Sequence, residues 1–158
     1  MSFNADYSAL QSVKYNLARL SVDMRKQGEQ AIKRCAENLL MQARALAPMD
    51  TGALRESGKV KKISNSEYQV IFDVTVKDRM KKLGKPLDGV SNPNFHYSGL
   101  QHDMIDWKHK IGQALFLEEP YEANKDGYMD TIKNAIQNTI RRTNWQRRSS
   151  GWSRRGRR

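Results

Sequence analysis

Three sets of residues carry types and spacings that could do chemistry. The first is Asp50-Thr51-Gly52-Ala53. Asp-Thr-Gly-Ala is how a retroviral-type aspartic protease presents its carboxylate on a strand-to-turn hairpin, with two chains pairing their aspartates across a dimer axis. The second set is His96, His102 and His109, the only histidines. If their segment were helical, His102, Asp106 and His109 would share one face and could approach a metal ion. The third is a run of cations. Residues 141–158 hold Arg141, Arg142, Arg147, Arg148, Arg154, Arg155, Arg157 and Arg158, interleaved with Trp145 and Trp152 and without a single acid. Guanidinium groups neutralise phosphates and indoles stack on exposed bases, so this run could bind nucleic acid. Lys77, Arg79, Lys81, Lys82 and Lys85 form a second basic stretch.

The surroundings rank these chemistries. The protease motif needs strands before it, whereas some 40 residues of helical pattern and a proline precede Asp50, so a turn and helix cap is the better reading. Neither an HExxH nor a Cys-His pattern accompanies the histidines, and no glycine-rich phosphate loop occurs, so neither a metal nor a cofactor is expected. The eight arginines carry +8 of the net charge of +11, leaving residues 1–140 at only +3. The basic character therefore belongs to the C-terminal segment, and an acidic protein surface or a nucleic acid would satisfy it equally.

The elements that must position these residues follow from periodicity. From about residue 4 to 47 there is no proline, and Leu10, Val13, Leu17, Leu20, Met24, Ala31, Cys35, Leu39 and Leu46 recur at helical spacings. This predicts one long amphipathic helix, ended by Pro48, with Gly28 as a point where it kinks or divides. Pro48 to Gly58 reads as a turn, a short helical turn capped by Asp50 or Thr51, and a glycine stop. Residues 60–63 and the alternating run 68–76 predict an antiparallel hairpin. Residues 77–94 lack a period and read as a long basic loop, and 95–106 as a short strand or helix. Ala114 to Leu117 looks buried. Pro120 opens a last helix whose face is Tyr128, Ile132, Ala135, Ile136, Thr139 and Ile140. Beyond Arg142 the pattern dissolves into a basic extended tail. The division expected is a single α+β domain over 1–140 and an arginine-rich tail over 141–158.

Composition bounds the class. The 158 residues are 38% hydrophobic and 28% charged, which makes a lean core. Apolar stretches last only a few residues, against the roughly 20 that a membrane span needs. Neither a membrane helix nor a secretory signal is expected, and Cys35, the only cysteine, cannot form an internal disulfide.

At Ala43-x-x-Leu46-Ala47-Pro48-Met49-Asp50-Thr51-Gly52-Ala53-Leu54-x-x-Ser57 the chain resembles the tail-component proteins of tailed bacteriophages, also called neck or tail-completion proteins. Their hallmark is a long helix ending in Ala-Pro-Val-Asp-Thr-Gly, then a small or basic residue, Leu, two variable positions and Ser; Met49 stands where valine is commonest. Phe116-Leu117-Glu118-Glu119-Pro120 is similar to the Phe-Leu-x-Pro before their last helix, while His102-Asp103-Met104 replaces their Glu-x-Gly-Thr. The resemblance implies an α+β fold, with long N- and C-terminal helices on a small antiparallel sheet. It implies a non-enzymatic virion protein, made in the bacterial cytoplasm and placed at the head-to-tail junction. Such a protein would form a homo-oligomeric ring, expected to be a hexamer, between connector or portal-side and tail-tube or terminator proteins. Within it Pro48, Asp50, Thr51, Gly52, Leu54 and Ser57 would be a structural turn. The two basic stretches would be candidate contacts to those partners or to DNA in the channel. The alternative is a stand-alone nucleic-acid-binding protein acting through its arginines; the aspartic protease using Asp50 is a remote third.

Overall fold

The computed structural model describes residues 7–106 and 110–152. It is α+β: helix α1 (Tyr7–Leu46), helix α2 (Ala53–Ser57), strands β1 (Gly58–Ser64) and β2 (Glu67–Phe72), helices α3 (Val76–Lys82) and α4 (Ser98–Asp103), and helix α5 (Glu118–Trp152). None of these helices is long and apolar enough to cross a membrane. The backbone divides into two compact units, one spanning Ile32–Tyr128 and the other made of the chain's two ends, Met1–Ala31 and Met129–Arg158.

The central unit holds the core. Leu40, Ala43 and Ala47 from the end of α1 meet Ala53 and Leu54 of α2, Phe72 and Val74 at the end of the hairpin, and Phe116. Phe116 is 2% exposed and meets the ring of Phe72 edge-on, with centroids 5.1 Å apart at 79°. Leu115 adopts a left-handed conformation (φ 52°), which costs a side-chain-bearing residue about 1–2 kcal/mol. Its N–H donates to the His102 carbonyl at 2.8 Å, and the conformation turns Phe116 into the core. A polar ladder joins α1 to the first turns of α5: Tyr128 Oη donates to Asn38 Oδ1 (2.9 Å), Gln42 Nε2 to Asn38 Oδ1 (2.6 Å) and Asn124 Nδ2 to Gln42 Oε1 (3.0 Å).

The hairpin is shorter than its alternating sequence. β1 and β2 pair antiparallel from Gly58↔Phe72 to Ser64↔Glu67, but β2 ends at Phe72 rather than at Val76. The alternation continues, since Val74 is 1% exposed, but the pairing partner changes. Tyr97 N–H donates to the Val74 carbonyl (3.2 Å), Val76 N–H to Phe95 (3.0 Å) and Lys77 N–H to Pro93 (2.8 Å).

Three expectations are corrected. Residues 77–94 are not a loop throughout, because α3 occupies 76–82, started by a capping box. Asp78 N–H donates to Thr75 Oγ1 (3.2 Å), and Thr75 N–H donates to Asp78 Oδ2 (2.9 Å). Gly28 neither kinks nor divides α1. One mid-helix glycine costs only about 1 kcal/mol, and here the missing side chain leaves room for Ile136. The chain after Arg142 is not extended: α5 continues to Trp152, since Arg, Gln and Ser carry an established helix forward more cheaply than they start one.

In the unit of the two ends, Ala31 is buried, and Ile132, Ala135, Ile136, Thr139 and Ile140 are half-buried, the face expected for the last helix. On α1 the expected face is only partly covered. Leu20 and Met24 are half-buried, but Val13 is 46% and Leu17 61% exposed.

Candidate functional site

The site grows from the end of α1. The last carbonyls of a helix lack intrahelical donors and must find others. Here Arg55, one turn into α2, reaches back: its Nε donates to the Ala47 carbonyl (2.8 Å) and its Nη2 to that of Ala45 (3.0 Å). A second strip of backbone closes on the same place, with Gln113 N–H donating to the Leu46 carbonyl (2.9 Å) and Met49 N–H to that of Ile111 (3.0 Å). Between these bonds lies Gly112 at φ 91°, so close that a Cβ there would sit 2.5 Å from the Ala47 oxygen and 2.6 Å from the Pro48 Cα. Ala47 is fully buried and Pro48 is buried beside it.

After Pro48 the chain turns through Gly52, which is left-handed at φ 81°, a conformation glycine adopts without steric cost. Thr51 Oγ1 accepts from Ala53 N–H at 3.3 Å, Leu54 is 4% exposed in the core, and Ser57 Oγ donates to the Leu54 carbonyl at 2.7 Å.

Asp50 points outward. Its Oδ2 accepts from Arg79 Nε (2.8 Å) and lies 2.6 Å from Arg79 Nη2, so one carboxylate oxygen takes both nitrogens. Lys82 Nζ donates to Glu56 Oε1. These two pairs tie α3 to the turn and to α2. Both are largely exposed, so each is worth at most about 1 kcal/mol and fixes position more than stability.

The turn, α3, residues 95–101 and residues 110–111 enclose an open cleft of about 500 Å³ whose walls include Met49, Phe95, Tyr97 and Ile111 beside the Asp50–Arg79 pair. Burial pushes the Tyr97 hydroxyl above its ordinary pKa of 10.0. Met49, Phe95 and Ile111 are 42–52% exposed, so the cleft has an apolar rim. The carboxylate in it faces a guanidinium, and a 40-residue helix leads into its turn instead of the strands that the protease hairpin requires.

The basic stretch that reads as a unit in sequence is divided by the fold. All five are exposed, but Arg79 and Lys82 are paired with Asp50 and Glu56, while Lys77, Lys81 and Lys85 make no ion pair among the described residues. Arg141 and Arg142 are exposed on α5, Arg147 and Arg148 lie in its last turns, and Arg154, Arg155, Arg157 and Arg158 fall outside the described residues.

The histidines do not come together. His96 Nδ1 lies 2.6 Å from Asp73 Oδ1, and His102 Nδ1 2.7 Å from Asp103 Oδ1, with the His102 ring edge-on to Phe116. α4 ends at Asp103, so Asp106 does not share a helical face with His102, and His109 falls outside the described residues. Among the described residues no group of three or more His, Cys, Asp or Glu is placed to hold a metal ion.

Sequence reasoning missed Arg55, Gly112 and the Thr75-x-x-Asp78 cap. Only the cap had a local signal, a threonine with an acid three residues on. Arg55 sits at a variable position of the motif, and Gly112 acts on residues 65 positions away in the chain.

A family model described as "Bacteriophage HK97-gp10, putative tail-component" matches residues 11–98, more than half of the chain. Neither the curated proteins nor the solved structures give a significant match.

Proposed function

Because the chain belongs to the HK97-gp10-like family of bacteriophage tail components, we propose that it is the ring-forming neck or tail-completion subunit that joins the DNA-filled head to the tail. The family match over residues 11–98 carries this reading, since it spans α1, the turn, the hairpin and α3 together. The balance of burial supports a subunit completed by neighbours. Among the described residues ten apolar side chains are buried while sixteen large ones stay exposed, four of them (Val13, Tyr15, Leu17, Val22) within ten residues of α1.

In this role the protein is structural and not an enzyme. It makes a homo-oligomeric ring, six-fold in the simplest case, between a connector or portal-side ring and a tail-tube or terminator ring. The arginines from Arg141 onward meet one of those rings or the DNA in the channel, because a chain end with so much positive charge needs an anionic neighbour.

Light scattering on the native protein across a concentration series tests the ring. The expected mass is that of about six copies, alone or after addition of a connector or tail component. A monomer that ignores both, and binds nucleic acid through Arg141 to Arg158 with a steep salt dependence, would overturn the junction role in favour of the stand-alone binding protein. A chain truncated after Ile140 that still joins heads to tails normally would refute the role of the arginines alone.

A further inference from the structure

We propose that neighbouring copies dock head to tail through two complementary ladders of charge: Lys77, Lys81 and Lys85 of one copy against Glu118, Glu122 and Asp126 of the next. The inference rests on the ring reading above and names the interface that would build it.

Each ladder steps by four residues in sequence, and where its members lie on a helix (Glu118, Glu122 and Asp126 on α5, Lys77 and Lys81 on α3) they stack on one face about 6 Å apart. Glu118, Glu122 and Asp126 lie on the first turns of α5, all exposed. Glu122 is 2.5 Å from Lys125 Nζ, whereas Glu118 and Asp126 make no ion pair among the described residues. Lys77 and Lys81 stand on α3, and Lys85 follows in the turn that closes it, where its N–H donates to the Met80 carbonyl. Arg79 and Lys82 of α3 are already paired with Asp50 and Glu56, which holds the helix in place, while Lys77 and Lys81 make no ion pair among the described residues. Such preorganisation lowers the cost of docking.

Each ladder also has apolar neighbours: Leu83 and Leu87 (41% and 37% exposed) beside the lysines, Tyr121 (48% exposed) beside the acids. Exposed apolar groups rimmed by complementary charge are the usual make-up of a specific interface. The two ladders are different surfaces of one chain, so the contact is heterologous, and heterologous contacts that close make rings.

The test uses two triple variants of the full chain, Lys77→Glu/Lys81→Glu/Lys85→Glu and Glu118→Lys/Glu122→Lys/Asp126→Lys, with circular dichroism to establish that each keeps its helices. Each variant alone presents like charges across the contact, so association is expected to weaken at least about 100-fold and leave monomers where the natural chain assembles. Mixed in equal amounts, the variants present opposite charges at every contact and reassemble, alternating around an even-numbered ring. The natural ring is also expected to loosen between about 0.1 and 1 M salt, as the screening length falls from about 10 to about 3 Å. If the natural chain assembles and both variants assemble equally well, the interface is refuted while the ring reading stands. The interface is refuted in the same way if the lysine variant loses only binding to a DNA duplex, which makes a polyanion the occupant of that face. A natural chain that stays monomeric under every condition, including with connector or tail components, overturns both.

Discussion

Gly112 and Gly84 separate two costs that are usually measured together. Both have positive φ, 91° and 63°, but a Cβ on Gly84 meets nothing within 4 Å, whereas one on Gly112 would fall 2.5–2.7 Å from three backbone atoms of Ala47 and Pro48. Gly84→Ala should therefore cost only the left-handed strain, less what alanine gains by restricting the unfolded chain, or about 1 kcal/mol in all. For Gly112→Ala the contact to the Ala47 oxygen is about 0.9 Å short of an ordinary 3.4 Å approach, and the atom it meets is backbone rather than a yielding side chain. Residues 111–113 must lift, and the hydrogen bonds from Gln113 N–H to the Leu46 carbonyl and from Met49 N–H to the Ile111 carbonyl go with them, each worth about 0.5–1.5 kcal/mol. Strain and lost bonds together reach about 2–5 kcal/mol, a large part of the stability of an ordinary domain. Thermal unfolding followed by circular dichroism reads the difference. At about 2–4 °C per kcal/mol for a chain of this size, Gly84→Ala lowers Tm by a few degrees and Gly112→Ala by roughly 4–20 °C. If the two variants melted within about 1 kcal/mol of each other, the claim that residues 111–113 clasp the end of α1 would be wrong.

The other expectations touch the same region. Arg55→Ala should lose about 1–3 kcal/mol in urea unfolding by stripping donors from the Ala45 and Ala47 carbonyls, and Arg55→Lys should restore less than half, because an ammonium cannot span both. Phe116→Ala should cost about 3–5 kcal/mol by opening a cavity against Phe72, and a loss under 1 kcal/mol would deny Phe116 its place in the core. Hydrogen bonds from the Thr75 hydroxyl and backbone N–H hold the Asp78 carboxyl below its ordinary 3.8. That contribution is full above the unfolded value and is lost as pH falls through the lower folded one. Acidification below about pH 4 should therefore lower amide protection, relative to the intrinsic exchange rate at each pH, in residues 78–83, an effect that Asp78→Asn flattens. Asp50→Asn should cost under about 1 kcal/mol and change no proteolysis, since none is expected; an active natural protein silenced by this change would revive the protease.

What could be read from the sequence was what repeats locally. α1, the hairpin and the apolar face of α5 all announce themselves by period, and the Pro48 to Ser57 turn by residue types that suit few other conformations. The failures share a cause. Lysines, Gly84 and Pro86 dominate the composition of residues 77–94 and hide a helix whose only signal is the Thr75-Asp78 cap. The alternation through Val76 is real, but it does not say which segment pairs, and residues 93–97 take over from β1 after Phe72. On α1 the period correctly marks one side as apolar without saying where coverage stops, and Leu17 stays exposed while Leu40, absent from the expected face, is buried.

The most recognisable residues of the chain are also the ones least able to identify a partner. Gly52 serves its φ, Leu54 the core, Ser57 the Leu54 carbonyl, Thr51 the start of α2, and the carboxylate of Asp50 an arginine of its own chain. Residues satisfied within the chain have little left to offer a neighbour, and on the reading proposed above these side chains serve the passage from α1 to the sheet. On the proposed reading partner choice resides in groups left unpaired within the chain, and on α3 Arg79 and Lys82 are paired with Asp50 and Glu56 while Lys77 and Lys81 make no ion pair among the described residues. A substitution that changes assembly without changing stability should therefore fall on Lys77, Lys81, Lys85 or the facing acids of α5, and one that changes stability first should fall between Ala43 and Ser57 or at Gly112.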